Sequence, residues 1–481
     1  MKKILALLLA GLLASPPGMA NDLPDLGESS RQYLSDKQER DIARSIMRDI
    51  YASPRYLADA EIEAYLNGLG RHLAAESTAS GRTLTFFVIR DSSINAFALP
   101  GGYIGVHTGL IQSAESESEL AGVLAHEIAH ISQEHLSRMI AQQDQSYLPT
   151  LAALAVAVLA ARSNANVGSA AIAATQAISL QNQLNFTREN EREADRVGLD
   201  ILTAADFDPR GMSTFFSRLE RANRLYDNNA PEYLRTHPLN SQRIADIDGR
   251  LEHTPYKQVR DANEFHFVRA RLAAMEGTAD EAVSRLRDQV LNRKTPLEAA
   301  SRYGLALALA RQNKYAEAEK ELALATKSAD SPMLLDLRAE LKARQGNYKE
   351  ALGFYQSALA RYPQHLPLAY GYGSTLIAAG QAQQAADFVA AQSALRPDDA
   401  RLWRLLAHAH AALGHRLASH RAEAEAFAAQ GNLGAAVEQI DLGLKAGDGN
   451  FYELSAAEAR RRQWQETLLS EAGNKQPAPR R

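Results

Sequence analysis

His126-Glu127-Ile128-Ala129-His130 places two histidines four residues apart in a segment whose apolar residues Leu120, Val123, Leu124, Ile128 and Ile131 recur at helical spacing. Residues four apart share one face of a helix, so both imidazoles point toward one ion. Glu127 directly follows the first histidine, where its carboxylate reaches a metal-bound water. Two histidines and a carboxylate around Zn²⁺, with a fourth position open, generate a nucleophile near neutral pH, and this is why H-E-x-x-H accompanies metalloprotease chemistry. Ser116 and Glu119 form a candidate capping box that starts the helix at about residue 117. With no proline before Pro149, the helix is expected to run to about Gln143.

Such a site needs a third ligand. Acidic residues cluster downstream in Thr187-Arg188-Glu189-Asn190-Glu191-Arg192-Glu193-Ala194-Asp195. Glu191 and Asp195 share a helical face. One can bind the ion while the other accepts the free N–H of a ligand histidine and so orients it. Spacing alone does not choose among Glu189, Glu191 and Glu193.

The pattern H-E-I-A-H followed by E-x-x-x-D resembles the M48 family of zinc metallopeptidases, a gluzincin group. Two further blocks agree: Asn95 to Gly102 with Val106-His107-Thr108-Gly109-Leu110, and Thr236-His237-Pro238 with Arg243. All four occur in the family's order over about residues 90 to 245. The resemblance implies one zinc ion per chain held by His126, His130 and Glu191. It implies Asp195 behind the ligands, Glu127 as general base, and His237 or Arg243 as donor to the developing oxyanion. Filling the open zinc position at rest is a second expectation for His237, and would make the protease latent. The segment Phe97 to Val106 is expected to offer a strand edge for a client backbone.

The other histidines have plainer readings. His135 lies five residues past His130, off the zinc face of a continuous helix, and is expected at the surface. His107 is expected to pack or hydrogen-bond rather than bind metal.

Residues 1–20 read as a signal peptide cleaved after Ala20: Lys2 and Lys3, an apolar run from Ile4 to Ala14, then Gly18-Met19-Ala20. No cysteine is present, which excludes a lipobox and disulfides. A net charge of −4 argues against a nucleic-acid partner. The peptidase domain is expected over 21–255. Within it, the apolar stretch 148–180 is expected to form a helical hairpin buried against the core, with peripheral membrane contact as the alternative.

From about residue 263 to 472 the chain becomes alanine-rich. Gly346, Gly380 and Gly414 are 34 residues apart, as are Pro363 and Pro397. That period predicts tetratricopeptide repeats, roughly four with atypical terminal helices, stacked as an α-solenoid. Residues 473–481 read as a disordered tail. The expected fold is thus mostly α with a small antiparallel sheet, a metallopeptidase followed by repeats. Signal peptide, M48-like peptidase and repeats together resemble an envelope protease group of Gram-negative bacteria. That resemblance implies a periplasmic zinc-dependent endopeptidase beside the outer-membrane β-barrel assembly machinery, which also assists assembly and quality control of β-barrel proteins and degrades stalled or misfolded clients. The alternative is a chaperone or scaffold in which the repeats carry the main function.

Overall fold

A computed structural model describes residues 36–142, 188–225 and 232–473, apart from residues 80, 253, 256 and 293–295. The expected signal peptide, the 148–180 hairpin and the tail beyond Gly473 lie outside the described residues. No helix among the described residues is long and apolar enough to cross a membrane.

The centre of the first half is helix α4 (Glu117–Ser132), buried at every residue from Glu117 to Ile131. A helix covered on all sides is a core element rather than a surface one. Helices α2 (Ala60–Ala75), α6 (Arg188–Ala204) and α7 (Arg210–Leu225) surround it. Ser116 caps α4, its hydroxyl accepting from the Glu119 amide at 3.2 Å. The reciprocal half of the expected capping box is replaced: the Glu119 carboxylate accepts from the Glu115 amide and from Arg218.

Small residues let the helices approach. A Cβ added at Gly198 on α6 would stand 3.1 Å from the Cα and N of His126, and one at Gly122 on α4 would stand 3.0 Å from Met212 Cα on α7. The two ligand-bearing helices therefore meet at backbone contact.

Helix α4 stops at Ser132, short of the expected Gln143. Glu134 takes a left-handed conformation (φ 52°), and a separate helix α5 (His135–Gln142) restarts at a new angle. No glycine or proline marks the break in the sequence.

Strands β1 (Thr85–Ile89), β2 (Ala96–Leu99) and β3 (Tyr103–His107) form one sheet in the order β1-β3-β2. The pair β2–β3 is antiparallel as expected, but β1 and β3 run parallel, Thr85 opposite Tyr103 through Ile89 opposite His107. The sheet is mixed, which corrects the expected antiparallel one. The hairpin turns so that its second strand, not its first, lies beside β1, and that order fixes the polarity. The hairpin connection uses Gly101 (φ 76°) and Gly102 (φ 80°), a conformation that disfavours any side chain. Strand β2 is the sheet edge nearest α4.

Twelve helices follow between Asn263 and Gly473, consecutive neighbours packing in series. Gly277, Gly346, Gly380 and Gly414 all hold φ between 69° and 79° where one helix turns into the next. Asn313 (φ 59°) fills the equivalent place between α12 (Glu298–Arg311) and α13 (Tyr315–Ser328), where the glycine period is interrupted.

The repeats pack against the peptidase half. Arg271 on α10 (Asn263–Met275) reaches Asp59 at 2.9 Å, and His365, ahead of α16 (Leu366–Ala378), reaches Glu61 at 2.8 Å. Arg401 on α18 (Ala400–Ala412) reaches Glu63 at 2.9 Å. All three acids belong to the cap or first turn of α2.

Gly198→Val forces the β-branched side chain into the α4 backbone. It is expected to destabilise the protein by about 1–3 kcal/mol and to lower bound metal, read from the denaturant midpoint and metal content of purified protein. Wild-type metal content would show that the helix contact is not what sets the ligand spacing.

Candidate metal centre

Three short segments converge behind the sheet edge. Helix α4 brings His126 and His130, α6 brings Glu191 and Asp195, and the end of α8 (Glu232–Thr236) delivers His237. Helix α9 (Ser241–Leu251), capped by Asn240, supplies Arg243. All of these side chains are buried, as is Glu127.

His126 Nε2 lies 3.1 Å from His130 Nε2, 3.4 Å from His237 Nδ1 and 3.6 Å from Glu191 Oε2. Glu191 Oε1 lies 3.0 Å from His237 Nδ1 and 3.4 Å from His130 Nε2. One donor atom from each of these four residues falls within 4.8 Å of every other, so the set could hold a metal ion. Glu189 stays at the exposed end of its helix.

Behind the ligands, His126 Nδ1 is 3.1 Å from Asp195 Oδ1. Arg243 donates through Nε and NH2 to both Asp195 oxygens at 2.7 Å, and through NH1 to the Pro238 carbonyl at 2.9 Å. Its NH1 also stands 2.7 Å from Glu191 Oε2. The guanidinium of Arg243, expected as an oxyanion donor, is engaged by the two acids and a carbonyl. Tyr233 stacks on His237, ring centroids 4.7 Å apart.

The electrostatics fit a divalent cation. Metal binding requires deprotonated ligands, and in that state one guanidinium, Arg243, faces three carboxyl groups (Glu127, Glu191, Asp195), an excess of negative charge in a buried site. Isolated buried charge is costly, and an ion of charge +2 offsets it. The titration of the side chains follows. Burial would lower the His126 pKa, but Asp195 and Glu191 outweigh it and carry it up to about 9. Burial drives His130 well down. Burial opposes ionisation of Glu191 and Asp195, yet His237 and the ligand histidines hold Glu191 far below the usual range, and Arg243 and His126 hold Asp195 below it. Glu127 goes the other way, pushed up by burial. Neither of its oxygens has a hydrogen bond in good geometry, although the Ala98 amide on β2 lies close enough to pull its pKa down somewhat.

His135 corrects the expectation of a surface residue. It is fully buried, its Nδ1 2.8 Å from His130 Nδ1 and its Nε2 3.1 Å from Glu193 Oε2. The angular argument assumed one continuous helix, and the turn at Glu134 re-aims the side chain. The polar run Ser132-Gln133-Glu134 is the only trace of that turn in the sequence. His107 hydrogen-bonds with Ser93 Oγ at 2.8 Å. With Asp91 and Glu232 it forms a second grouping of donor atoms. Arg55 pairs with Asp91 there, and Ser93 donates to Glu232, so its members are engaged by neighbouring side chains.

Residues 60–251 match the family model described as Peptidase family M48, and residues 342–409 match one described as Tetratricopeptide repeat. The chain belongs to the M48 peptidases and is a metallopeptidase with a tetratricopeptide-repeat array. It is similar to the Beta-barrel assembly-enhancing protease of Escherichia coli (strain K12), 33% identical over 426 residues, 88% of this chain and 86% of that one. It is also similar to the Putative beta-barrel assembly-enhancing protease of Vibrio cholerae, 34% identical over 420 residues, 87% of each chain. The Mitochondrial metalloendopeptidase OMA1 of Schizosaccharomyces pombe is 32% identical over 196 residues, 41% of this chain and 54% of that protein.

Asp195→Ala removes the carboxylate behind His126 and frees Arg243. Metal affinity, measured by equilibrium dialysis, is expected to fall about 10–100-fold. An unchanged affinity would leave Asp195 with no part in orienting the ligand.

Proposed function

We propose that this chain is a zinc-dependent endopeptidase, one Zn²⁺ per chain, exported to the periplasm. It acts on unfolded or stalled outer-membrane β-barrel proteins beside the machinery that assembles them. The observation that carries the chemistry is the buried convergence of His126, His130, Glu191 and His237 next to a carboxylate, Glu127, with no good hydrogen bond of its own. Two or three imidazoles and one carboxylate suit zinc. The names of the similar bacterial proteins support the client class.

When bound, zinc supplies a Lewis acid and a water whose pKa falls to about 7. His126, His130 and Glu191 would hold the ion, Asp195 would orient His126, and Arg243 ties both acids to the Pro238 loop. Glu127 takes the proton of the attacking water and hands it to the leaving nitrogen. Its upward-shifted carboxyl group is suited to carrying that proton between the two transfers. His237 serves twice. At rest it would hold the ion together with the other three residues, since its Nδ1 lies among their donor atoms. Displaced toward the cleft, it donates to the charge developing on the carbonyl oxygen. The client backbone lies extended along the β2 edge, where main-chain pairing gives affinity with little sequence selectivity.

The specific observation that favours a second, scaffolding role is a cleft of about 920 Å³ between α2 and the repeats, lined by Tyr51, Tyr56, Arg71, Tyr370 and Arg401 among others. Clients held there need not be cut.

Glu127→Gln is expected to lower cleavage of an unfolded barrel protein by about 10²–10⁴-fold with metal content unchanged. Retained cleavage would remove Glu127 from the chemistry. Client assembly that survives this change assigns scaffolding to the repeats as a separable function. His237→Ala is expected to raise basal cleavage, and an unchanged basal rate sinks the latency reading.

A further inference from the structure

The two histidines of α4 are held from behind in different ways. His126 meets a carboxylate, Asp195, whereas His130 meets another imidazole. We infer that His135 is a positioning residue for the metal centre, accepting the Nδ1–H of His130 while Glu193 fixes the His135 tautomer.

A neutral imidazole that offers one nitrogen to a metal carries its proton on the other. His130 Nε2 faces the ligand cluster, 3.1 Å from His126 Nε2 and 3.4 Å from Glu191 Oε1. Its proton therefore sits on Nδ1, 2.8 Å from His135 Nδ1. Two protonated nitrogens cannot share that contact, so His135 Nδ1 is the acceptor and its own proton lies on Nε2. That nitrogen is 3.1 Å from Glu193 Oε2, a carboxylate that can only accept. Arg138 donates to the same oxygen at 2.9 Å and holds it in place. One assignment of protons satisfies the whole chain from His130 to Arg138.

The backbone is arranged for this contact. Glu134 adopts φ 52°, a conformation that costs a non-glycine residue free energy and persists where its surroundings enforce it. Its carboxylate pairs with Arg82. The turn sends the next residue, His135, inward to pack edge-on against the His130 ring, centroids 4.8 Å apart. A continuous α4 would have carried it away from the metal face.

This inference rests on the reading of His130 as a metal ligand, and the experiment separates the two. Zinc affinity is measured by competition with a fluorescent chelator on the full-length protein, for wild type, His135→Leu, His135→Asn and Glu193→Ala. Wild-type protein that binds no zinc refutes the metal-centre reading itself. If it binds, His135→Leu, which fills the space without an acceptor, is expected to weaken affinity about 10–100-fold. His135→Asn sets its Oδ1 where Nδ1 stood and is expected to restore affinity to within about threefold, since an acceptor is again present. The Nδ1–H resonance of His130 in ¹⁵N-edited NMR is expected to shift in the Leu variant and return in the Asn variant. Glu193→Ala, at a partly exposed side chain, tests the tautomer lock should His135→Leu fail to fold, and a several-fold loss is expected. Wild-type affinity in both His135→Leu and Glu193→Ala overturns the inference. Equal losses in the Leu and Asn variants also overturn it, because shape rather than an acceptor would then be what His130 requires.

Discussion

The backbone contact between α4 and α6 is the constraint on which the centre depends. Glu191 and the two histidines lie about sixty residues apart in the chain, yet their side chains meet because glycine at position 198 lets the helices touch at His126 itself. From that crossing follow the short ligand distances, the reach of Asp195 to the back of His126, and the placement of Arg243 against both acids. A wider crossing would leave the acids and the imidazoles as separate buried groups, each bearing its own desolvation cost.

Charge compensation is the second layer. The imidazoles, the two acids and Arg243 combine strongly opposed charges in a buried space, where pairing errors are costly. Arg243 answers for part of the negative charge by pairing with both Asp195 and Glu191. Glu127 has no guanidinium beside it, only His237 Nε2 at 3.5 Å, and it is the one whose proton affinity rises. The three acids thus differ in environment: Glu191 and Asp195 are held toward the ionised form, and burial pushes Glu127 toward the protonated one.

Much of this was legible in the sequence because it is written locally. The i, i+4 pairs His126/His130 and Glu191/Asp195 each lie within one helix, and the repeat glycines mark left-handed turns at a fixed period. What escaped depends on relations between elements. The polarity of β1 follows from which hairpin strand swings beside it, and nothing in Thr85–Ile89 encodes that choice. The inward turn of His135 follows from a backbone flip at Glu134, a residue type that rarely announces one. The engagement of Arg243 required the position of α9 relative to α6. Glu189, Glu191 and Glu193 could not be ranked by spacing, whereas in the fold Glu191 alone faces the histidines.

The acidic first turn of α2 alters how the solenoid behaves as a material. A free repeat array is quasi-one-dimensional: each unit senses its immediate neighbours, and unravelling can begin at either end without troubling the other. Here Asp59, Glu61 and Glu63 tether the first unit and two consecutive later ones to a single helix that itself packs on α4. Those tethers close large loops of chain, so the array gains long-range cooperativity that its local periodicity lacks. Fraying of its middle repeats is thereby coupled to loosening of the wall behind the metal-binding helix.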